Sequence, residues 1–264
     1  MSSRPAAVAG TFYPAGRRRL IEQVDRLLAA APQGVEGGPP VGVIVPHAGY
    51  RYSGPVAAVA YAQLARRTDP VERVVILGPS HFIPLAGCAV PATAAFEIPT
   101  ELVPIDTDCC AALAQRDGVV RSDAPHAREH SIEVQLPFLM RVLPGGWRLV
   151  PVVVGRADPS AVADLLEAAD GPRSLIVCST DLSHYLDQDT AAARDRRTAE
   201  AIVARRAETI GDRDACGAVP LRGVLTWAER HGHRVRLLDL RTSGDTSGDR
   251  TRVVGYGAFS LLPA

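Results

Sequence analysis

The sequence predicts an α/β fold: a single three-layer domain over residues 1–264, with a central, mostly parallel but mixed sheet and helices on both faces. Three observations carry that prediction. Short apolar runs rich in β-branched residues alternate with longer stretches whose apolar residues recur at helical spacing. Three of the apolar runs end in polar turns that bear a histidine. No internal repeat and no change of composition regime divides the chain.

Taken in order, Ala6 to Pro14 reads as an ordered extended arm carrying Phe12 and Tyr13. Gly16 to Ala31 has helical spacing at Leu20, Val24, Leu27 and Leu28, and Pro32 to Pro40 is a Gly- and Pro-rich surface loop. Val41 to Val45 is a buried strand, ended by Pro46, which has no amide hydrogen to donate. Gly49 and Gly54 loosen the backbone after it, and Ser53 stands where a helix N-cap is expected, ahead of Val56, Val59, Ala60 and Leu64. Val74 to Leu77 and Cys88 to Pro91 read as strands, and Asp106 to Gln115 as a helix capped at Asp106 or Thr107.

Glu129 to Leu143 is predicted helical despite Pro137, with Ile132, Leu136, Leu139 and Met140 inward. Arg148 to Val154 is a strand, Pro159 to Ala169 a helix, Ser174 to Cys178 a strand, and Asp189 to Ala207 a long helix. Ala215 to Pro220 is a sharp turn into a helix that runs to about Arg230. Val235 to Arg241 and Val253 to Leu261 close the sheet, with the polar loop TSGDTSGDR between them.

Composition narrows the function. Acidic and basic residues balance at 29 each, so no overall field favours nucleic acid or a membrane surface. Every basic residue other than histidine is Arg, and the absence of Lys excludes a P-loop, a Schiff-base enzyme and a Ser-Lys hydrolase. No GxGxxG or GxSxG occurs, which argues against a dinucleotide fold of the usual kind and an α/β-hydrolase elbow. The opening residues lack the apolar core of a signal peptide, and no apolar run approaches a membrane span. Five cysteines do not read as a disulfide framework, so a cytoplasmic protein is expected.

The chemistry-bearing residues cluster at strand ends. PHAGY carries His47, GPSH carries His81 and STDLSH carries His184. Parallel strands bring their carboxyl ends to one edge of a sheet, so these three can converge in one cleft. Cys216 occupies a turn just before a helix, where free amides favour thiolate, whereas Cys88, Cys109, Cys110 and Cys178 read as buried hydrophobes. Two imidazoles and a thiolate make a three-ligand metal site with an open position; without metal, Cys216 is a candidate nucleophile. Asp181 is placed to orient His184, which moves protons near neutral pH. Glu129 and His130 are expected as hydrogen-bonding groups near the cleft, His126 on the surface, and His231 and His233 solvated.

The motifs AGTFYP, PHAGYRYSG, ILGPSH, EHSIEVQLPFL, STDLSHY and CGAVP, in this order, resemble the Memo family, whose bacterial and archaeal members are called AmmeMemoRadiSam system protein B. The resemblance runs over nearly the whole chain. It implies a fold similar to the class III extradiol ring-cleaving dioxygenases, the LigB-like group. By the same resemblance His47, His81 and Cys216 match the family's metal-site residues, and Asp181 and His184 its other cleft residues.

Those dioxygenases hold iron with two histidines and a carboxylate; a cysteine in the third place is softer and shifts preference toward copper or zinc. The expectation is therefore one metal ion, iron or copper, with zinc compatible, in a redox or oxygen-chemistry site lined further by His130, Tyr50 and Phe12. Phe12 stands where eukaryotic relatives have Trp. The rival expectation is a binding module for a small molecule or peptide, phosphotyrosine peptides included, or a partner of radical SAM and AMMECR-type proteins.

Overall fold

The computed structural model describes residues 2–32, 38–65 and 67–264. The chain opens with β1 (Ser3–Arg4), α1 (Arg17–Ala30), β2 (Gly42–Val45), α2 (Gly54–Leu64), β3 (Arg73–Pro79) and β4 (Cys88–Val90). An excursion follows through β5 (Ala95–Ile98), β6 (Glu101–Pro104), α3 (Thr107–Leu113), β7 (Val119–Arg121), α4 (Ala124–Ala127) and α5 (Leu136–Val142). The second half contains β8 (Arg148–Val154), α6 (Pro159–Ala169), β9 (Ser174–Ser179), β10 (His184–Leu186), α7 (Gln188–Val203), α8 (Ala218–Arg230), β11 (Arg234–Thr242), α9 (Ser243–Ser247) and β12 (Val253–Leu262).

The β-branched runs are the middle of the sheet because both of their faces are covered. Its order is β10-β12-β2-β9-β3-β8-β4-β7, with β11 on β12. The four central strands β2, β9, β3 and β8 are parallel, while β12 and β4 join antiparallel on either side. On one side α1, α2 and α5 pack together; α6 and α8 pack on each other, with α3 against α6 and α7 against β11 and β12. The mixed sheet between helices is the expected α/β architecture, consistent with a dioxygenase-like fold. The register pairs Val45 with Ser179 and Leu77 with Cys178, so β2, β9 and β3 end side by side.

Several boundaries differ from expectation for identifiable reasons. The helix expected from Glu129 begins as a 3-10 turn at Glu133–Gln135 and becomes α5 only at Leu136. Pro137 lacks an amide hydrogen and fits the first turn of a helix, not its interior. Asp106 is the cap of α3, accepting from the Cys109 amide. Ser53 holds the N-cap position of α2, but its hydroxyl donates to the Ala48 carbonyl instead of capping. Helix α7 ends at Val203, and Ala207 belongs to a separate 3-10 turn. The polar loop before β12 contains α9, closed by a capping box between Thr242 and Asp245. The hairpin β5–β6, which pairs with β1 in a small second sheet, was not legible in the sequence. Of the loop expected at 32–40, residues 33–37 lie outside the described residues.

The N-terminal arm is fixed by one buried acid. Glu133 accepts from Arg4 (2.6 Å), the Tyr13 hydroxyl (2.5 Å) and the amides of Ala7 and Val8. Arg4 also donates to the carbonyls of His126 and Glu129. A charge out of water persists where every lone pair is occupied in this way. The arm is thereby stitched to the segment that leads into the site. Among the described residues no helix is long and apolar enough to cross a membrane.

Candidate metal centre

Each candidate ligand stands just past the end of an element that the core holds rigid. His47 follows β2 and Pro46, His81 follows β3, and Cys216 precedes α8. Their ligand atoms all lie within 4.8 Å of one another. The His47 and His81 ring centroids are 5.1 Å apart at 82°. The expectation that the two histidines and the cysteine meet is what the structure shows.

The hydrogen bonds decide which ring nitrogen is free. Ser179 Oγ donates to the Ser131 carbonyl (2.6 Å) and accepts from Gln135 Nε2. Its single proton is spent, so His47 Nδ1, 3.0 Å away, must be the donor to it. His47 Nε2 is then a bare lone pair, and it faces Cys216 Sγ at 3.3 Å. The same logic holds for His81, whose Nδ1 donates to Glu129 Oε1 at 2.9 Å. This carboxylate–histidine arrangement is the usual support of a metal-binding imidazole. Glu129 also accepts from the His81 and Ser131 amides. Its position near His130, with His81, forms a second close group. With its oxygens already engaged, Glu129 is an anchor for His81.

Electrostatics agree with a neutral, lone-pair imidazole at His47. Burial holds His47 well below the usual histidine range, and the neighbouring His81 and His130 would oppose a further positive charge. Burial likewise lowers His130 to about 4. Burial pushes the Glu129 carboxyl up, but the hydrogen bonds it accepts from the His81 side chain and from the His81 and Ser131 amides outweigh it and bring it down to about 2. Burial, then the charge of Asp181, pushes the Cys216 thiol up to about 12. The turn therefore does not by itself make a thiolate, contrary to expectation: amides of Asp181 and Gly217 favour the anion less than burial opposes it. A cation would reverse this, since a coordinated thiol is deprotonated.

Asp181 and His184 are not hydrogen-bonded to each other as expected. Asp181 Oδ1 accepts from the His47 amide at 2.7 Å, and burial raises its carboxyl to about 6 against the pull of that amide. His184 is oriented by a carbonyl, with Nδ1 donating to Leu182 O at 2.8 Å. Phe12 meets the His130 ring edge-on at 4.8 Å, and His130 stacks on His81. Tyr50, expected in the cleft, lies behind it: the residue is buried, its hydroxyl bound to the Val134 carbonyl. His126, expected on the surface, is buried, with Nε2 against the Ala89 carbonyl. His231 is exposed and His233 half-buried, both leaning on Trp227. Ser179, Ser131 and Gln135, which set the His47 tautomer, were not singled out from sequence; all three fall inside the motifs, but nothing local marks their partners.

The donor set fits a metal. Two imidazoles and a sulfur, each imidazole held through its Nδ1, match a three-ligand site with room for a fourth group. The fold and this site define an α/β protein with a candidate His-His-Cys metal centre at the carboxyl edge of its parallel strands. Residues 4–260 match the family described as Memo-like protein, and the chain belongs to the Memo family. MEMO1 family proteins of Ignicoccus hospitalis and Methanopyrus kandleri are each 37% identical, over 99% and 97% of this chain and 99% and 98% of theirs. One from Thermotoga maritima is 36% identical over 96% of this chain and 97% of its own. A solved structure, that of the uncharacterized protein JW3007 from Escherichia coli K12, superposes with a TM-score of 0.54 at 12% identity, covering 82% of this chain and 98% of that one. That likeness concerns the fold alone.

Proposed function

We propose that the protein is a metal-dependent redox or oxygen-chemistry protein, in which His47, His81 and Cys216 hold one iron or copper ion. The observation that supports this reading is the meeting of ligand atoms from His47, His81 and Cys216 within 4.8 Å of one another, each imidazole held by an acceptor on its Nδ1. Such a centre supplies electron transfer and an open position for a small ligand when the ion is bound. The chain's own contribution is positional. Glu129 and Ser179 fix the rings, Asp181 ties the His47 amide to the end of β9, and His184 Nε2 takes a proton from a substrate or returns one. All five cysteines are unpaired, which suits a reducing cytoplasm.

The test is anaerobic reconstitution with Fe(II), Cu(I) and Zn(II), followed by elemental analysis. Wild type should retain about one equivalent, and His81→Ala and Cys216→Ala should lose it. Equal metal content in all three removes the reading. Dioxygen consumption by the iron- or copper-loaded protein, with a reductant present, tests the redox half.

A second reading, a docking module for a peptide or for radical SAM and AMMECR-type partners, draws on the rim of the site. Phe82 and Tyr185 are 44% and 65% exposed, and Arg128 and Arg252 lie over their rings. Aromatic and Arg residues are the usual anchors of protein interfaces. Pull-downs that lose a partner with Tyr185→Ala and keep it with Cys216→Ala favour this reading over the first.

A further inference from the structure

His81 and Cys216 open onto a cleft of about 490 Å³, within the range of small-molecule sites. Its walls include an apolar side: Phe82, Ile83 and Leu85 from the segment after β3, and Val219 and Pro220 from the start of α8. Phe82 and Ile83 are 44% and 36% exposed, an uncovered apolar surface in direct sequence continuity with a candidate ligand. Besides the histidine, the charged residues on the lining are Arg156 and Asp212.

Arg156 is set on a clamped backbone. Its amide donates to Leu85 O, its carbonyl accepts from the Gly87 amide, and Ala86 bridges to it. At Gly155, just before it, a side chain would meet Leu85 O at 2.1 Å, so the two segments press together at this point. The guanidinium itself is exposed and forms no ion pair among the described residues. A planar cation left free beside an apolar wall matches a carboxylate, which it can bind bidentately. Asp212 adds a negative charge to the same lining, which disfavours a second anionic group on the ligand.

We infer that the cleft takes a small monocarboxylic acid with an apolar body, its carboxylate on Arg156 and its other end toward His81 and Cys216. This deepens the proposed function and rests on that reading only for the chemistry at the far end. Calorimetric titration of benzoate, 3-phenylpropanoate and hexanoate, each against its neutral amide, tests it on the full chain, metal-free and zinc-loaded. The carboxylates should bind about tenfold or more tightly than the amides, and Arg156→Gln should erase that preference while Arg156→Lys keeps part of it. Phenyl phosphate, a dianion, should bind more weakly than benzoate, and Asp212→Asn should narrow the gap. Amides equal to carboxylates overturn the inference, as does a preference that survives in Arg156→Gln, which would place the anion on the metal. A preference for carboxylates in a chain that takes up no metal leaves the inference standing and removes the proposed function; metal uptake without the preference does the reverse.

Discussion

His47 Nε2 lies 3.3 Å from Cys216 Sγ, although the two residues come from opposite ends of the chain. With metal–nitrogen bonds of about 2.0–2.1 Å and a metal–sulfur bond of about 2.3 Å, a tetrahedral ion sets that separation at roughly 3.5 Å. The pair is therefore preset to within a few tenths of an ångström, while a sulfur beside an imidazole is also a good neutral hydrogen-bonded pair. The distinction is a proton. His47 is neutral well above its lowered pKa, whereas the thiol, pushed up to about 12, holds its proton across the neutral range.

Metal uptake should accordingly release close to one proton, from Cys216 and not from His47. Apparent affinity should rise about tenfold per pH unit near pH 7, because a higher pH lowers the cost of deprotonating the thiol. Zinc titrations in buffers of different ionisation enthalpy read the proton count directly. Uptake with no proton released would mean that the sulfur is not a ligand.

The acceptors behind the imidazoles should matter without touching the ion. Glu129→Gln removes the charge that receives the His81 Nδ1 proton, and Ser179→Ala removes the acceptor behind His47. Each should weaken zinc binding by about 10–100-fold, with the fold retained. Competition with a chelator measures this, and far-ultraviolet circular dichroism checks the fold. Unchanged affinity in both variants would mean that the rings need no such support.

The strands that carry these residues were readable because burial on both faces forces continuous β-branched runs, as in Val74 to Leu77. The ligand positions were readable for a related reason: a histidine immediately after such a run can only stand at the sheet's edge. What the sequence withheld was pairing at a distance. Asp181 and His184 are three residues apart and invite a local partnership, yet Asp181 is taken by the His47 amide from another strand. His126 was expected on the surface ahead of a helix starting at Glu129, but the turn at Ala124–Ala127 brings its Nε2 against the Ala89 carbonyl of β4. Helical spacing likewise ran straight through Glu129 to Leu143, and only the missing amide of Pro137 marked where α5 could begin.

Acid stability should report on His126. Burial, then the charge of Arg4, lowers it from 6.5 to about 4. Above pH 6.5 it is neutral in both states and the fold keeps its full stability. Between 6.5 and 4 the unfolded chain gains a proton that the fold resists, so stability falls as pH drops. The fall due to this one group is on the order of 3 kcal/mol. Urea denaturation of metal-free protein across that range should show a shallower loss for His126→Gln than for wild type. Parallel curves would mean that His126 titrates normally.

Gly217 offers a way to disturb the centre without altering any ligand. Its amide donates to Thr180 Oγ1 at 2.9 Å, which holds the Cys216 turn against the end of β9. A Cβ there would stand 2.8 Å from Thr180 Oγ1, 2.9 Å from Thr180 Cβ and 3.1 Å from the Ser179 carbonyl. The backbone angle is not at issue, because φ is −97°; space is. Gly217→Ala must therefore push the turn away from β9, carrying Cys216 from His47. Overpacking of this kind typically costs about 1–3 kcal/mol of stability, and the zinc affinity should fall about tenfold or more. The double variant Thr180→Ala/Gly217→Ala clears the closest of the three contacts, that with Thr180 Oγ1, and should recover part of the affinity. Gly217→Ala with wild-type affinity would show that the sulfur's position is not set by this packing.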